Sequence, residues 1–248
     1  MKKIILIGLL VSSLFATADA DTNIKIYTEH YPPNNMKIGG KLTGSSVEVL
    51  DAMFKEMNSN QRIEDIKLTN WSRAYSVALK LPNSMVFSTT RTKAREKLFK
   101  WVGPISTTTV GVIALKSKNI VIKDISDFAN YKIGAVLKDV AEQLLLEKGV
   151  SKRNIQHVNG ADAIKMSFNK MEKDRIDMFA YNTIVALNDA KKNGFDTSKY
   201  EIIYKLTVAD LSFAFNKKTD DKIIQKWQNA LDKVKANGTY SNIMNKYK

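Results

Sequence analysis

Short apolar segments with the period of a β-strand alternate along this chain with longer segments that have the period of an α-helix. Residues 23–28 alternate polar and apolar side chains, and residues 47–57 repeat apolar side chains at helical spacing. The alternation continues through a strand pattern at 131–136 and a helix pattern at 140–148, and a long amphipathic helix is predicted at 220–235. This order predicts an α/β fold with largely parallel sheets.

Three further strands are predicted from apolar runs at 109–115, 201–204 and 211–216. Gly39 and Gly40 precede Lys41 and are typical of a hairpin turn, not of a loop that binds phosphate. Ser45 and Ser46 stand just before a helical pattern and are good candidates for its N-cap.

The first twenty residues read as a secretory signal peptide, with Lys2 and Lys3 before an apolar run and a small-x-small cleavage site at 18–20. The chain has no cysteine, so it has neither a disulfide nor a site for N-terminal lipidation. We therefore expect a free protein of the bacterial periplasm, not a lipoprotein.

Composition argues against several classes of protein. The formal charge is +14, but the lysines are scattered and form no basic run, so we expect no nucleic-acid partner. The two histidines, His30 and His157, have no metal-ligand spacing, and no nucleophile, phosphate-loop or zinc-protease motif occurs. We expect no metal, no cofactor and no catalytic residue.

The segment from Ser88 to Ile105 gives the clearest indication of a binding site. An apolar strand runs into hydroxyl side chains, Ser88 and Thr90 among them, and then into Arg91 and Arg95. Hydroxyl donors near a guanidinium suit a small anion, because arginine can donate two parallel hydrogen bonds to one carboxylate. The alternative is a solvated helix start with Arg95 on the surface.

Several segments together resemble the extracytoplasmic solute-binding proteins of polar amino acid ABC transporters, the bacterial solute-binding protein family 3. The resemblance covers essentially all of the chain after residue 20. It rests on the order and spacing of these segments: Thr28-Glu-His-Tyr-Pro-Pro33, Asn70-Trp-Ser-Arg-Ala74, Ser88–Arg95, Phe99-Lys-Trp-Val-Gly-Pro104, Arg175-Ile-Asp-Met-Phe-Ala-Tyr-Asn182 and Ala236–Tyr247.

The resemblance implies a two-lobe periplasmic-binding-protein-like fold of type II, with central mixed sheets flanked by helices and two hinge crossovers. It places the crossovers near Thr108–Ala114 and Thr207–Phe213. Lobe 1 is then discontinuous, with residues 21–108 plus 207–248, and lobe 2 is 109–206. The two lobes would close on one small molecule by a hinge motion.

The resemblance also implies which residues contact the ligand. Arg95 matches the arginine that binds a ligand carboxylate, and Ser88 and Thr90 match positions that assist it. Trp71 falls near the position of an aromatic residue that lies flat against the ligand, and Tyr31 falls near the position of another wall of the cleft. Glu29 matches a residue that faces the cleft. Each has a structural alternative: Trp71 as a core residue, Tyr31 as packing in a turn, and Glu29 as a solvated charge.

The second lobe departs from the family pattern at two places. Asn182 stands where amino acid binders usually have an aspartate that pairs with the α-ammonium, and it could instead pack and cap a helix. Lys138 replaces a glycine, and the neighbouring Asp139 is either a helix N-cap or a substitute negative charge for a cationic group. The ligand is therefore expected to have a carboxylate without necessarily being an α-amino acid.

The leading function is capture of a small polar solute in the periplasm for an ABC transporter permease, without chemistry and as a monomer, the usual state in the family. One alternative is a sensor subunit that docks on a receptor. The other is a dehydratase acting on a prephenate-type carboxylate, for which Glu29, Asp139 or His30 could serve as general acid. Fold analogy alone is a weak basis for choosing among them.

Overall fold

The computed structural model describes residues 23–247, and the predicted signal peptide lies outside this range. Ten strands are described: β1 (Lys25–Thr28), β2 (Met36–Ile38), β3 (Lys41–Thr43), β4 (Lys67–Leu68), β5 (Ser84–Thr90), β6 (Phe99–Leu115), β7 (Ile133–Val136), β8 (Ile155–Val158), β9 (Met178–Asn182) and β10 (Tyr200–Asn216). The α-helices of the same range are α1 (Ser45–Glu56), α2 (Trp71–Lys80), α3 (Lys93–Glu96), α4 (Val140–Glu147), α5 (Ala163–Glu172), α6 (Thr183–Lys192), α7 (Asp221–Ala236) and α8 (Thr239–Asn245).

Eight of these strands form one mixed sheet in the order β4-β1-β5-β10-β6-β9-β7-β8. The pairs β4–β1–β5 and β9–β7–β8 are parallel, and the long strands β6 and β10 run antiparallel between them. We call β4, β1 and β5 with α1–α3 the β1 side, and β9, β7 and β8 with α4–α6 the β7 side. The predicted α/β fold with mixed strand directions is confirmed.

The two long strands correct the prediction of shorter ones. The expected strand at 109–115 begins ten residues earlier, at Phe99, and the runs at 201–204 and 211–216 belong to the single strand β10. Polar residues in the middle of β6 interrupt its apolar pattern, and the β6–β10 register shifts in three places. The predicted lobe boundaries at 108/109 and 206/207 fall inside these strands and stay predictions.

Local signals account for most helix starts. Asn70 accepts a hydrogen bond from the Arg73 backbone N–H at 3.0 Å, and Asp220 accepts one from Lys222 at 2.7 Å. The prediction for α1 was wrong, since its N-cap is Gly44 and the two serines are the first helical residues. Gly39 and Gly40 have φ angles of 57° and 79° and join β2 to β3, which confirms the hairpin turn.

The buried apolar side chains form two cores and a third cluster that includes residues of both sides. One core packs Leu50 of the β1 side against Phe213 of β10 and Trp227 of α7, and another lies at the β7 side around Phe128 and Leu145. A third cluster includes residues of both sides: Tyr27, Tyr31, Trp71 and Tyr75 from the β1 side, and Phe168, Phe179 and Tyr181 from the β7 side. Within residues 23–247, no helix is long and apolar enough to cross a membrane.

Candidate ligand-binding site

Arg95 lies at the centre of the contact between the two sides of the sheet. It belongs to the short helix α3, directly after β5, where Thr92 caps the helix by accepting a hydrogen bond from the Arg95 backbone N–H at 3.3 Å. Only 1% of Arg95 is exposed. The alternative of a surface Arg95 is therefore wrong, and the guanidinium is buried.

The guanidinium of Arg95 contacts both sides. Its Nε donates to Oε1 of Gln143 at 2.8 Å, Nη1 donates to the Thr90 carbonyl and Nη2 to the Lys138 carbonyl, both at 3.3 Å. The rings of Trp71 and Tyr75 lie 5.2 Å and 4.9 Å from its central carbon, within the range of cation–π attraction. Rings and carbonyls thus hold the cation in one orientation.

The end of β5 supplies polar groups near Arg95, as predicted from the sequence. Ser88 and Thr90 are both buried. Ser88 has a φ of 56°, a left-handed conformation, and its hydroxyl bonds to the side-chain carbonyl of Asn35. Thr90 contributes its backbone carbonyl to Arg95. Contact of either residue with a ligand stays a prediction.

The aromatic residues expected at the site are both buried. Trp71 begins α2 and donates its indole N–H to the Lys138 carbonyl at 2.8 Å, so it spans the two sides besides packing in the core. Tyr31 meets Tyr181 edge to face, with ring centroids 5.9 Å apart. Tyr31 also packs in a turn, because its backbone N–H bonds to the Asn35 carbonyl at 2.7 Å.

Two carboxyl groups, those of Glu29 and Asp139, lie near Arg95. Burial, together with the nearby charge of Asp139, holds the pKa of Glu29 well above its ordinary value, although Arg95 and a hydrogen bond from Tyr181 oppose this. Burial also raises the pKa of Asp139, against the attraction of Arg95. Asp139 is the N-cap of α4 and accepts from the Ala141 backbone N–H at 3.0 Å.

The side-chain amide of Asn182 is hydrogen-bonded within the protein. Its side-chain oxygen accepts a hydrogen bond from the Val185 backbone N–H at 3.0 Å and caps α6, and its amide bonds to the Thr108 hydroxyl. Both ends of the amide therefore have partners in the fold. Its role in ligand binding, like that of the other seven predicted contact residues, stays a prediction.

Sequence reasoning missed three parts of this arrangement, namely Tyr75, Gln143 and the Lys138 carbonyl. Tyr75 is one helical turn after Trp71, so the position of Trp71 at the start of α2 could have indicated it. Gln143 is likewise one turn after the α4 cap Asp139. No signal in the sequence indicates that a backbone carbonyl 43 residues away contacts Arg95.

The two histidines each pair with an acid. Nε2 of His30 lies 3.0 Å from the carboxylate of Asp189, which belongs to the β7 side. His157 and its partner Glu142 both belong to the β7 side. Among residues 23–247, no cluster of three histidine or acidic side chains could hold a metal ion.

Replacing Glu29 with glutamine should stabilise the protein at neutral pH. In the unfolded chain the Glu29 carboxyl loses its proton at about pH 4.3, whereas in the folded protein its raised pKa keeps the proton bound to a higher pH. The folded protein therefore binds more protons between these two pKa values, and the stability of the wild type falls as pH rises through that range. Glu29→Gln removes this loss, and we expect a gain on the order of 1 kcal/mol at pH 7.5 that vanishes near pH 4. Thermal unfolding across pH measures it. Glu201→Gln, at an exposed position, is the control. An equal gain at pH 4 and pH 7.5 would contradict the prediction.

The model of the family "Bacterial extracellular solute-binding proteins, family 3" matches residues 24–248. No curated protein matches the chain.

Solved structures share its fold. An ancestral arginine-binding protein bound to arginine is 22% identical, with a TM-score of 0.74 over 90% of this chain and 97% of that one. A histidine kinase sensor domain with similarity to periplasmic binding proteins is 14% identical, with a TM-score of 0.77 over 90% of this chain and 95% of the domain. The ancestral amino acid-binding protein described as a precursor of cyclohexadienyl dehydratase is 22% identical, with a TM-score of 0.69 over 90% of this chain and 94% of that one.

Identities this low establish likeness of fold alone, whereas the family match extends over nearly the whole chain. The predicted family and its periplasmic-binding-protein-like fold are thereby confirmed, and the chain belongs to the bacterial extracellular solute-binding proteins of family 3.

Proposed function

We propose that this protein captures a small carboxylate-bearing solute, an amino acid or a related compound, in the periplasm and delivers it to the permease of an ABC transporter. The observation on which this rests is the buried guanidinium of Arg95, packed against the neighbouring rings of Trp71 and Tyr75. A buried cation held in this way offers a carboxylate a charge-assisted and directional partner.

The surrounding charges favour a ligand that also has a cationic group. Glu29 and Asp139 are two acids around one arginine, and each has a raised pKa because burial disfavours its charge. An ammonium or guanidinium group between them would relieve that cost. Asp139 is the better candidate on the β7 side than Asn182, whose amide is already bonded at both ends. Amino acids, and above all basic ones, fit these requirements.

A thermal-shift screen tests this proposal. The protein is unfolded and refolded to remove any bound solute, and then mixed with the standard amino acids, small carboxylates, polyamines, sugars and prephenate. A compound at about 100 times its dissociation constant adds about 2.7 kcal/mol, which raises the midpoint by several degrees. A shift with amino acids supports the proposal. No shift with any carboxylate argues against it and favours a docking role, which a pulldown would then test.

A second candidate function, dehydration of a prephenate-type substrate, is favoured by the raised pKa of Glu29. A protonated carboxyl group close to Arg95 could donate its proton to a leaving hydroxyl, so that water and carbon dioxide depart and a phenylpyruvate-type product remains. The ancestral amino acid-binding protein described as a precursor of cyclohexadienyl dehydratase shares this fold. Ultraviolet detection of phenylpyruvate from prephenate tests it, with Glu29→Gln as the inactive control.

A further inference from the structure

Gln143, in the first turn of α4, and Lys138, in the loop before that helix, occupy one edge of the Arg95 guanidinium. Nε of Arg95 donates to Oε1 of Gln143 at 2.8 Å, and Nη2 donates to the Lys138 carbonyl at 3.3 Å. The amide nitrogen of Gln143 in turn donates to the same Lys138 carbonyl at 3.4 Å. Gln143 and Lys138 therefore form one bonded unit on the β7 side that faces an arginine of the β1 side.

The Lys138 carbonyl is held in place from several directions. Lys138 has a φ of 64°, in the left-handed region, and its backbone N–H donates to Glu142 at 2.5 Å. Its carbonyl also accepts the indole N–H of Trp71 at 2.8 Å, and its ammonium group donates to Ser76 at 2.9 Å. Because these bonds fix the loop, the groups that meet Arg95 have defined positions.

The N–H groups of Arg95 that have no partner among the described residues can be identified by counting its hydrogen bonds. A guanidinium has five N–H groups, one on Nε and two on each terminal nitrogen. Among the described residues, the single Nε–H bonds to Gln143, and one N–H of each terminal nitrogen bonds to a backbone carbonyl, those of Thr90 and Lys138. The two remaining N–H groups are therefore one on Nη1 and one on Nη2.

We infer that Gln143 is a positioning residue of this site, which holds the Nε–H of Arg95 and so directs an anion to the N–H groups left on the two terminal nitrogens. Two N–H groups match the two oxygens of a carboxylate. The Nε–H lies on the other edge of the guanidinium, where Gln143 and the Lys138 carbonyl take the place that an anion bound through Nε and Nη2 would occupy. The inference rests on the proposed function, because it assumes that Arg95 binds an anion.

The first test needs no ligand. In nitrogen-15 NMR spectra at pH 7.5, the Arg95 Nε–H resonance is assigned by its loss in Arg95→Lys. Its hydrogen exchange with water is then compared between the wild type, Gln143→Ala, Gln143→Glu and the exposed control Gln225→Glu. We expect exchange at least tenfold faster in Gln143→Ala, and slow exchange in Gln143→Glu, which keeps an acceptor. Equal exchange rates in the wild type and Gln143→Ala would overturn the inference.

The second test measures acetate affinity by NMR titration of the wild type, Gln143→Ala and the exposed control Gln225→Glu. One lost hydrogen bond that orients Arg95 is worth roughly 2- to 10-fold, so acetate should bind more weakly to Gln143→Ala by about that factor and equally well to the control. Unchanged or tighter acetate binding in Gln143→Ala contradicts the inference. If acetate does not perturb the wild type, the anion site itself fails, while the exchange measurement still decides whether Gln143 holds Arg95.

Discussion

Replacing Arg95 with alanine should cost about 2–4 kcal/mol of the free energy of binding to a carboxylate-bearing solute, because a ligand carboxylate in the buried site would lose its charged partner. Arg95 is buried, and its guanidinium is oriented by Gln143 and by the rings of Trp71 and Tyr75. Isothermal titration with the compound that gives the largest shift in the thermal screen measures the loss. Arg95→Lys should recover only part of it, since an ammonium group cannot donate the planar pair of hydrogen bonds.

Arg91→Ala provides the matched control. Arg91 precedes Arg95 by four residues, but it is exposed and pairs with Glu96 at 2.6 Å on the surface. Exposed pairs of this kind contribute about 0–1 kcal/mol to stability, so Arg91→Ala should leave ligand affinity within about twofold of the wild type. If both substitutions reduce affinity equally, the net charge of the chain matters and the placement of the anion site at Arg95 is wrong.

The largest effect on stability is expected from Phe213→Ala. Phe213 lies in β10, is fully buried, and packs against Phe87 and Trp227 with ring centroids 6.0 Å and 6.3 Å away. Truncation removes apolar contacts and leaves a cavity beneath the sheet, which costs about 3–5 kcal/mol for a buried phenylalanine. Urea unfolding monitored by circular dichroism measures the loss of free energy.

The control for this prediction lies in the same strand. Val208 is 54% exposed, so Val208→Ala should change the free energy of unfolding by no more than about 0.5 kcal/mol. A loss below about 1 kcal/mol in Phe213→Ala would mean that the core around Trp227 can collapse to fill the space, and that its packing is looser than the structure indicates.

Much of the site could be predicted because its parts lie close together in sequence. The hydroxyls at the end of β5 and the buried Arg95 belong to one segment, where a strand is followed directly by a short helix. Asp139 and Asn182 each precede a helical pattern, and each is an N-cap in the structure. Local hydrogen bonding decides such positions, and local sequence therefore indicates them.

Other features could not be predicted for physical reasons. The sequence shows that Lys138 replaces a glycine of the family pattern, and the structure supplies the reason that glycine suits this place, a φ of 64°. It does not show that the Lys138 carbonyl faces Trp71 and Arg95, because those contacts join residues 67 and 43 positions apart. Every residue has a backbone carbonyl, so the residue type does not indicate which carbonyl makes such a contact.

The lengths of β6 and β10 could not be predicted from the sequence either. Polar residues in the middle of β6 and shifts of register in β10 break the period on which strand prediction depends. Their continuity is maintained by hydrogen bonds between the two strands, which lie about a hundred residues apart in sequence, so the strand ends predicted from apolar runs alone were too short.

The sequence by itself determined the α/β class, the family, the caps of α4 and α6 and the presence of a guanidinium after a row of hydroxyls, because periodicity and capping act over a few residues. Only the tertiary structure decided that this guanidinium is buried against two rings, that Gln143 holds its Nε, and that Glu29 and Asp139 share its surroundings. Those properties depend on distance and desolvation between segments that meet only after the two sides of the sheet pack together.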